Sequence, residues 1–209
     1  RVLCNEAGGI QDQIAASFGG FNRIDFREEG YTVSPLVFSQ ERKEALNRRL
    51  MLFFTGFSRF SSDIAKSQVQ ATRDKTRELL EMKSLVDEVQ KILVSKTDLA
   101  EFGRLLDYTW QIKRGITSEI SNDAIDGLYQ RALAAGALGG KLLGAGGGGF
   151  LLLYVEPEYQ ENVKEAFKDL IYVPFAFEND GTRILYFRPE TFDRRDVRQE
   201  GAENRESVT

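Results

Sequence analysis

Polar stretches with helical spacing alternate with short apolar runs along the chain, and the changeovers mark its elements. Residues 8–18, "GGIQDQIAASF", read as a short helix entered through Gly8-Gly9. Gly19-Gly20 end it, because glycine takes the positive φ of a helix terminus. "FNRIDF" and "YTVSPLVF", joined by "REEG", read as a hairpin, with Pro35 pushing the second strand toward an edge. A charged helix, "SQERKEALNRR", leads into the apolar strand "LMLFFTG" at 50–56. From Ser61 to about Val94 the apolar residues Ile64, Leu79, Met82, Val86, Val89 and Leu93 share one helical face. Thr97 or Asp98 then caps a second helix bearing Leu99, Phe102, Leu106, Trp110 and Lys113 on one side, and Asn122 caps a third, "DAIDGLYQRALAAGA". "LGGKLLGAGGGG" reads as a glycine-rich connection into the strand "FLLLYV". Pro157 opens a fourth helix. "YVPFAF" and "RILYF" form a closing hairpin around "ENDGT".

The switch from polar helix to buried strand near residue 50 marks a boundary between a first domain at 1–50 and a second at 51–188. Residues 189–209, charged and poor in apolar side chains, read as a mobile tail. In residues 50–188 the order is strand, three helices, strand, helix, strand, strand. That order predicts an α+β fold, with helices on one face of an antiparallel sheet.

Composition narrows the function classes. The chain has 209 residues, 42% hydrophobic and 29% charged, enough for real cores. A net charge of −4 gives no broad attraction to nucleic acid, so none is expected as a partner. Histidine is absent, which excludes Ser-His-Asp and Cys-His catalysis and most zinc sites. The single Cys4 fits a reducing compartment, and no apolar run is long enough to span a bilayer, so a soluble cytoplasmic protein without membrane contact is expected. The first residue is Arg1, and the opening stretch reads as the middle of a longer polypeptide.

Four stretches carry candidate chemistry. "LGAGGGGFLLLYV" contains G-x-G-x-x-G, but the strand follows the glycines, the reverse of a dinucleotide fold, and no Lys-Ser/Thr follows as in a Walker A loop. Its glycines serve either a turn into a buried strand or close approach to a phosphate. Asp12, in the first turn of a helix, is favoured there by the dipole; the same place suits a carboxylate that takes or orients the proton of an attacking hydroxyl. Arg59, at the end of a strand, is a surface residue or reaches an anionic ligand. Lys113 and Arg114 end a helix, where cations are favoured in any case.

Taken together, "GGIQDQIAASFGGFN", "FFTGFSRFSSDIAKSQ" and "ISNDAIDGLYQRALAAGALGGKLLGAGGGGFLLLYV" resemble, in order and spacing, the GHMP sugar-kinase superfamily, and within it the heptose 7-phosphate kinases. The resemblance runs to about residue 188. It implies a ferredoxin-like C-terminal domain preceded by the last portion of an N-terminal α/β domain. It implies ATP and Mg2+ as cofactors and transfer of the γ-phosphoryl group to the anomeric hydroxyl of D-glycero-D-manno-heptose 7-phosphate. Asp12 would be the base or orienting group, with Gly9, Gln11 and Gln13 framing the sugar. Gly144, Ala145, Gly146, Gly147, Gly148 and Gly149 would lie beside the nucleotide phosphates. An acceptor already bearing a phosphate calls for cations, for which Arg59, Lys113 and Arg23 are the candidates.

The family's glycine- and serine-rich phosphate loop does not occur in these residues, nor does the region expected to supply a metal-binding acid. No metal ligand is therefore expected in this chain, which by itself is expected to be inactive and to need the rest of the same polypeptide. Homodimerisation is left open. Two rival readings stand beside this one: a kinase for another sugar, of the fucose or galactose type, and a non-catalytic kinase-like sugar-binding module.

Overall fold

The computed structural model describes residues 9–56, 69–71, 74–144 and 146–186. Its elements run α1 (Gln11–Phe18), β1 (Asn22–Arg27), β2 (Gly30–Pro35), α2 (Gln40–Arg49), β3 (Leu50–Phe54), α3 (Thr76–Val94), α4 (Ala100–Arg114), α5 (Asp123–Ala134), β4 (Ala137–Leu142), β5 (Phe150–Val155), a 3-10 turn (Pro157–Tyr159), α6 (Gln160–Ala166) and β6 (Ile171–Tyr172). The helix starts follow from side-chain caps. Ser39 accepts from the Arg42 amide at 3.2 Å, Asp98 from Ala100 at 3.0 Å and Asn122 from Ile125 at 3.0 Å. Gly19 and Gly20 end α1 with φ of 64° and 68°. Of the helix expected from Ser61, Thr76–Val94 is α3; residues 57–68 lie outside the described residues.

β1 and β2 form a two-stranded hairpin, and the other four strands form an antiparallel sheet in the order β4-β5-β3-β6. β5 is central and apolar throughout because both of its faces are covered. Leu151, Leu153 and Val155 enter one core with Met51, Phe53, Trp110, Ile125, Tyr129 and Phe167. Leu152 and Tyr154 enter a second with Leu46, Leu50, Leu93 and Leu99. The α+β class and the antiparallel sheet are as expected, and helical cover extends to both faces, with α5 and α6 on the first and α2 and α3 contributing to the second. Among the described residues no helix is long and apolar enough to cross a membrane.

Two expectations are corrected. The glycine-rich connection contains a strand, β4, that its Gly139-Gly140 pair disguised. These positions lack side chains because other groups occupy the space. A Cβ on Gly139 would stand 2.1 Å from the Gly103 carbonyl oxygen and 2.7 Å from the Asp107 nitrogen, so α4 lies directly along this edge strand. The Tyr129 hydroxyl accepts from the Gly140 amide at 3.1 Å and donates to Asp107 at 2.6 Å. The edge is thereby closed to further pairing.

The second correction concerns the closing hairpin: after Tyr172 no strand is formed among the described residues. The backbone of Phe175 and Phe177 is instead held by the side-chain amide of Asn47, at 3.2 and 3.0 Å. Phe177 then packs edge-on against Phe21 at 4.6 Å, and the chain continues onto α1. There the Gly20 amide donates to the Glu178 carbonyl at 3.0 Å and the Thr182 amide to the Ser17 carbonyl at 3.2 Å.

Candidate active site

α4 and β4 run side by side, and their lengths bring their far ends together. From Gly103, packed on Tyr154 and Leu138, ten helical residues reach Lys113, a rise of about 15 Å. From Gly139, beneath Gly103, five extended residues reach Gly144, about 16 Å. The Lys113 ammonium accordingly meets the Gly144 carbonyl, donating to it at 2.9 Å. The site is thus set by close helix-on-strand packing about three helical turns away.

Register places the next residue. Ala137 pairs with Val155 but Gly139 with Tyr154, so Leu138 is an extra residue in a bulge. The bulge puts Lys141 opposite Leu152, on the face of the second core. Unbroken pairing would have set it opposite Leu151, among the apolar residues of the first core. Lys141 is partly buried, its backbone is paired with β5, and its ammonium, among the described residues, makes no hydrogen bond or ion pair.

Asp12 completes the group from the first turn of α1, a helix anchored by the buried Ile14. Burial, followed by the positive charge of Lys141, lowers the Lys113 pKa to about 8, and Asp12 opposes the shift. Burial also lowers Lys141, and the charge of Asp12 again opposes it. One carboxylate and two ammonium groups from three separate elements therefore lie within one another's fields.

The glycine run is the hairpin loop between β4 and β5, closed by the Leu143 amide donating to Phe150 at 2.8 Å. Gly144, Gly146, Gly147 and Gly149 all have positive φ, which explains the composition. Gly146 lies against the Ile120 backbone, where a Cβ would stand 2.7 Å from the carbonyl oxygen, and the Gly147 amide donates to that oxygen at 3.0 Å. The Gly149 carbonyl accepts from both the amide and the hydroxyl of Thr55, each at 2.9 Å. The loop is thus pinned at its middle and at its end, while its first carbonyl holds Lys113.

The structure brings together Asp12, Lys113 and the glycine run. Gln11 and Gln13 flank Asp12 on exposed α1 positions; Gly9 is exposed, with no described atom within 4 Å of where its Cβ would stand. Ala145 and Arg59 lie outside the described residues. Arg23 is corrected as a ligand candidate, because its guanidinium pairs with Asp25 at 3.0 Å and Asp87 at 2.6 Å, tying β1 to α3. Arg114 is likewise paired, with Asp126 at 2.6 Å. Sequence reasoning missed Lys141. Its one signal was a lysine inside the apolar run "LGGKLL", readable only once β4 and its bulge are known. Among the described residues no group of three or more acidic, cysteine or histidine side chains is placed to hold a metal ion.

Residues 85–172 match the family described as GHMP kinases C terminal, and the chain accordingly contains a GHMP-kinase C-terminal domain. Among curated proteins the chain is similar to the D-glycero-alpha-D-manno-heptose 7-phosphate kinase of Campylobacter jejuni, 32% identical over 181 residues that make up 84% of this chain and 53% of that protein. Among solved structures, a D-glycero-D-manno-heptose 1-phosphate kinase from Bacteroides thetaiotaomicron superposes with a TM-score of 0.55 at 29% identity, over 86% of this chain and 50% of that one. The mevalonate kinase of L. major shares the fold at a TM-score of 0.62 and 18% identity, over 83% of this chain and 53% of that one. The chain thus spans about half the length of the relatives it matches.

Proposed function

We propose that the whole protein is a sugar kinase whose acceptor is a heptose 7-phosphate, phosphorylated at its anomeric hydroxyl. The observation that carries this reading is the meeting of Asp12 with Lys113 and Lys141 beside the pinned glycine loop. Phosphoryl transfer asks a protein chiefly for positioning and charge neutralisation, and the site offers both. Asp12 takes or orients the proton of the attacking hydroxyl, and Gly9, Gln11 and Gln13 frame the sugar around it. The two ammonium groups fit an anionic ligand, since they lie partly buried with no carboxylate hydrogen-bonded to either. Bound ATP would supply the γ-phosphoryl group. Mg2+ belongs to the proposal for the whole protein, and no residue described here is assigned to it. Arg59 remains assigned to the phosphate of the acceptor.

The test is a coupled ADP-release assay on the product of the whole open reading frame, with heptose 7-phosphate, fucose and galactose as acceptors. Asp12→Asn keeps the shape of the side chain and removes the base. It is expected to lower kcat by about 10²–10⁴-fold with little change in acceptor KM. An unchanged kcat would refute the role of Asp12. Turnover with fucose or galactose and none with heptose 7-phosphate would refute the acceptor.

A further inference from the structure

We propose that Lys113 and Lys141 form a phosphate-binding site, in which one phosphate group bridges two ammonium groups presented by α4 and by the bulged strand β4. Each lysine is delivered by a separate structural device. Lys113 is brought to the loop by the Gly103–Gly139 contact, and Lys141 is turned out of the first core by the extra residue at Leu138. Only three residues, about 10 Å of strand, separate Lys141 from the carbonyl that holds Lys113, a span two lysine side chains can close on a common ligand.

Their electrostatic situation calls for an anion. Two like charges held partly out of water near each other are unfavourable unless something neutralises them. Three lysines elsewhere in the chain have such partners, Lys75 with Glu78, Lys164 with Glu161 and Lys168 with Glu165, whereas a lysine such as Lys83 is exposed and solvated. The Lys113 ammonium has only a neutral carbonyl, and the Lys141 ammonium has no hydrogen bond or ion pair among the described residues. Asp12 lowers the excess by one charge and leaves one positive charge over. A phosphate carries that charge and offers acceptor oxygens to both ammonium groups.

The site itself stands independently of the proposed kinase activity. Two sources of phosphate suit it, the group the acceptor already carries and the group in transfer from ATP. Only the group in transfer lies next to the hydroxyl that Asp12 serves; the phosphate the acceptor already carries is at the other end of the sugar.

The decisive measurement is titration of the chain with inorganic phosphate at pH 7, followed by the side-chain ammonium signals of its lysines, against a chloride control of equal ionic strength. Saturable shifts of two lysine signals are expected. Lys113→Met and Lys141→Met should each weaken binding by about tenfold or more, whereas Lys83→Met, on the exposed surface of α3, should leave it unchanged. Thermal unfolding of each variant establishes that it is folded. Absence of a saturable shift, or equal affinity in the two site variants and the parent, overturns the proposal.

A kinetic arm on the product of the whole open reading frame separates the sources. If the acceptor's phosphate occupies the site, Lys141→Met raises KM for a sugar phosphate and not for the unphosphorylated sugar. If the transferred group occupies it, kcat falls with both acceptors. Parental kcat and KM with both would overturn the site. A product inactive with every acceptor would refute the proposed function, and the phosphate titration would still decide the site.

Discussion

Gly139→Ala tests the packing that delivers Lys113. Gly139 does not have a positive φ, so alanine is allowed by the backbone and only the neighbouring atoms oppose it. The added methyl would stand 2.1 Å from the Gly103 carbonyl oxygen, 2.7 Å from the Asp107 nitrogen and 2.9 Å from the Asp107 Cβ. Ordinary contact begins at 3.4 Å, so α4 must retreat by about 1.3 Å, and two of the three obstacles are backbone that no rotamer change can move. Overpacking of this kind costs about 3 kcal/mol, the upper part of the usual range. For a chain of this size that lowers Tm by roughly 6–12 °C. The same retreat draws Lys113 away from Gly144, so its ammonium signal should move toward that of a solvated lysine.

Thermal unfolding and the lysine ammonium spectrum measure both effects. Gly127→Ala is the matched control, since it lies in the exposed middle of α5 with no atom within 4 Å of the new methyl, and should stabilise by about 1 kcal/mol. If Gly139→Ala left Tm within 2 °C of the parent, or of the order of the control, the close helix-on-strand packing would be refuted.

Lys113→Met should stabilise the chain at pH 7 by about 1–2 kcal/mol, the cost of a partly buried charge after screening. Burial holds the folded pKa at about 8, below the ordinary 10.5, so both states are charged below pH 8 and the penalty is complete there. Between pH 8 and 10.5 the folded parent releases its proton first, its stability rises, and the gap to the variant closes; a gap that widens over that range in denaturant melts would contradict the shift. Gly181→Ala would place a methyl 1.9 Å from the Ser17 carbonyl oxygen, and hydrogen exchange should show faster exchange at Gly19, Gly20 and the last turn of α1, with β5 unaffected. Asn122→Ala removes the cap of α5 and should cost about 1 kcal/mol in chemical denaturation, with no change in phosphate affinity.

Much of the fold was legible because its signals are local. Ser39, Asp98 and Asn122 cap where their residue types promise, and Gly19-Gly20 end α1 for a reason visible in two letters. The apolar run of β5 marked a buried strand, but the element order suggested helices on one face only, whereas both faces of β5 are covered. β4 was hidden because its glycines answer to α4 and Tyr129, residues distant in sequence. The alternation of Phe175 and Phe177 was a real signal with an unexpected partner, since Asn47 supplies the hydrogen bonds that a strand would have given. In the site, Asp12 and the glycine run could be named from residue type and motif. Lys141 depended on the phase of a strand, which one bulged residue reverses.

The attachment of residues 178–182 to α1 fixes an order of events during synthesis. Asp12 is made well before residues 178–182, yet the helix that carries it is held at Ser17 and Gly20 by groups about 160 positions later. Sheet, cores and glycine loop can form as their residues emerge, whereas α1 gains its last fastenings only after Thr182 has appeared. The carboxylate is therefore among the last groups to be locked in place, and a chain that stops short of that point keeps both lysines without a fixed Asp12 beside them.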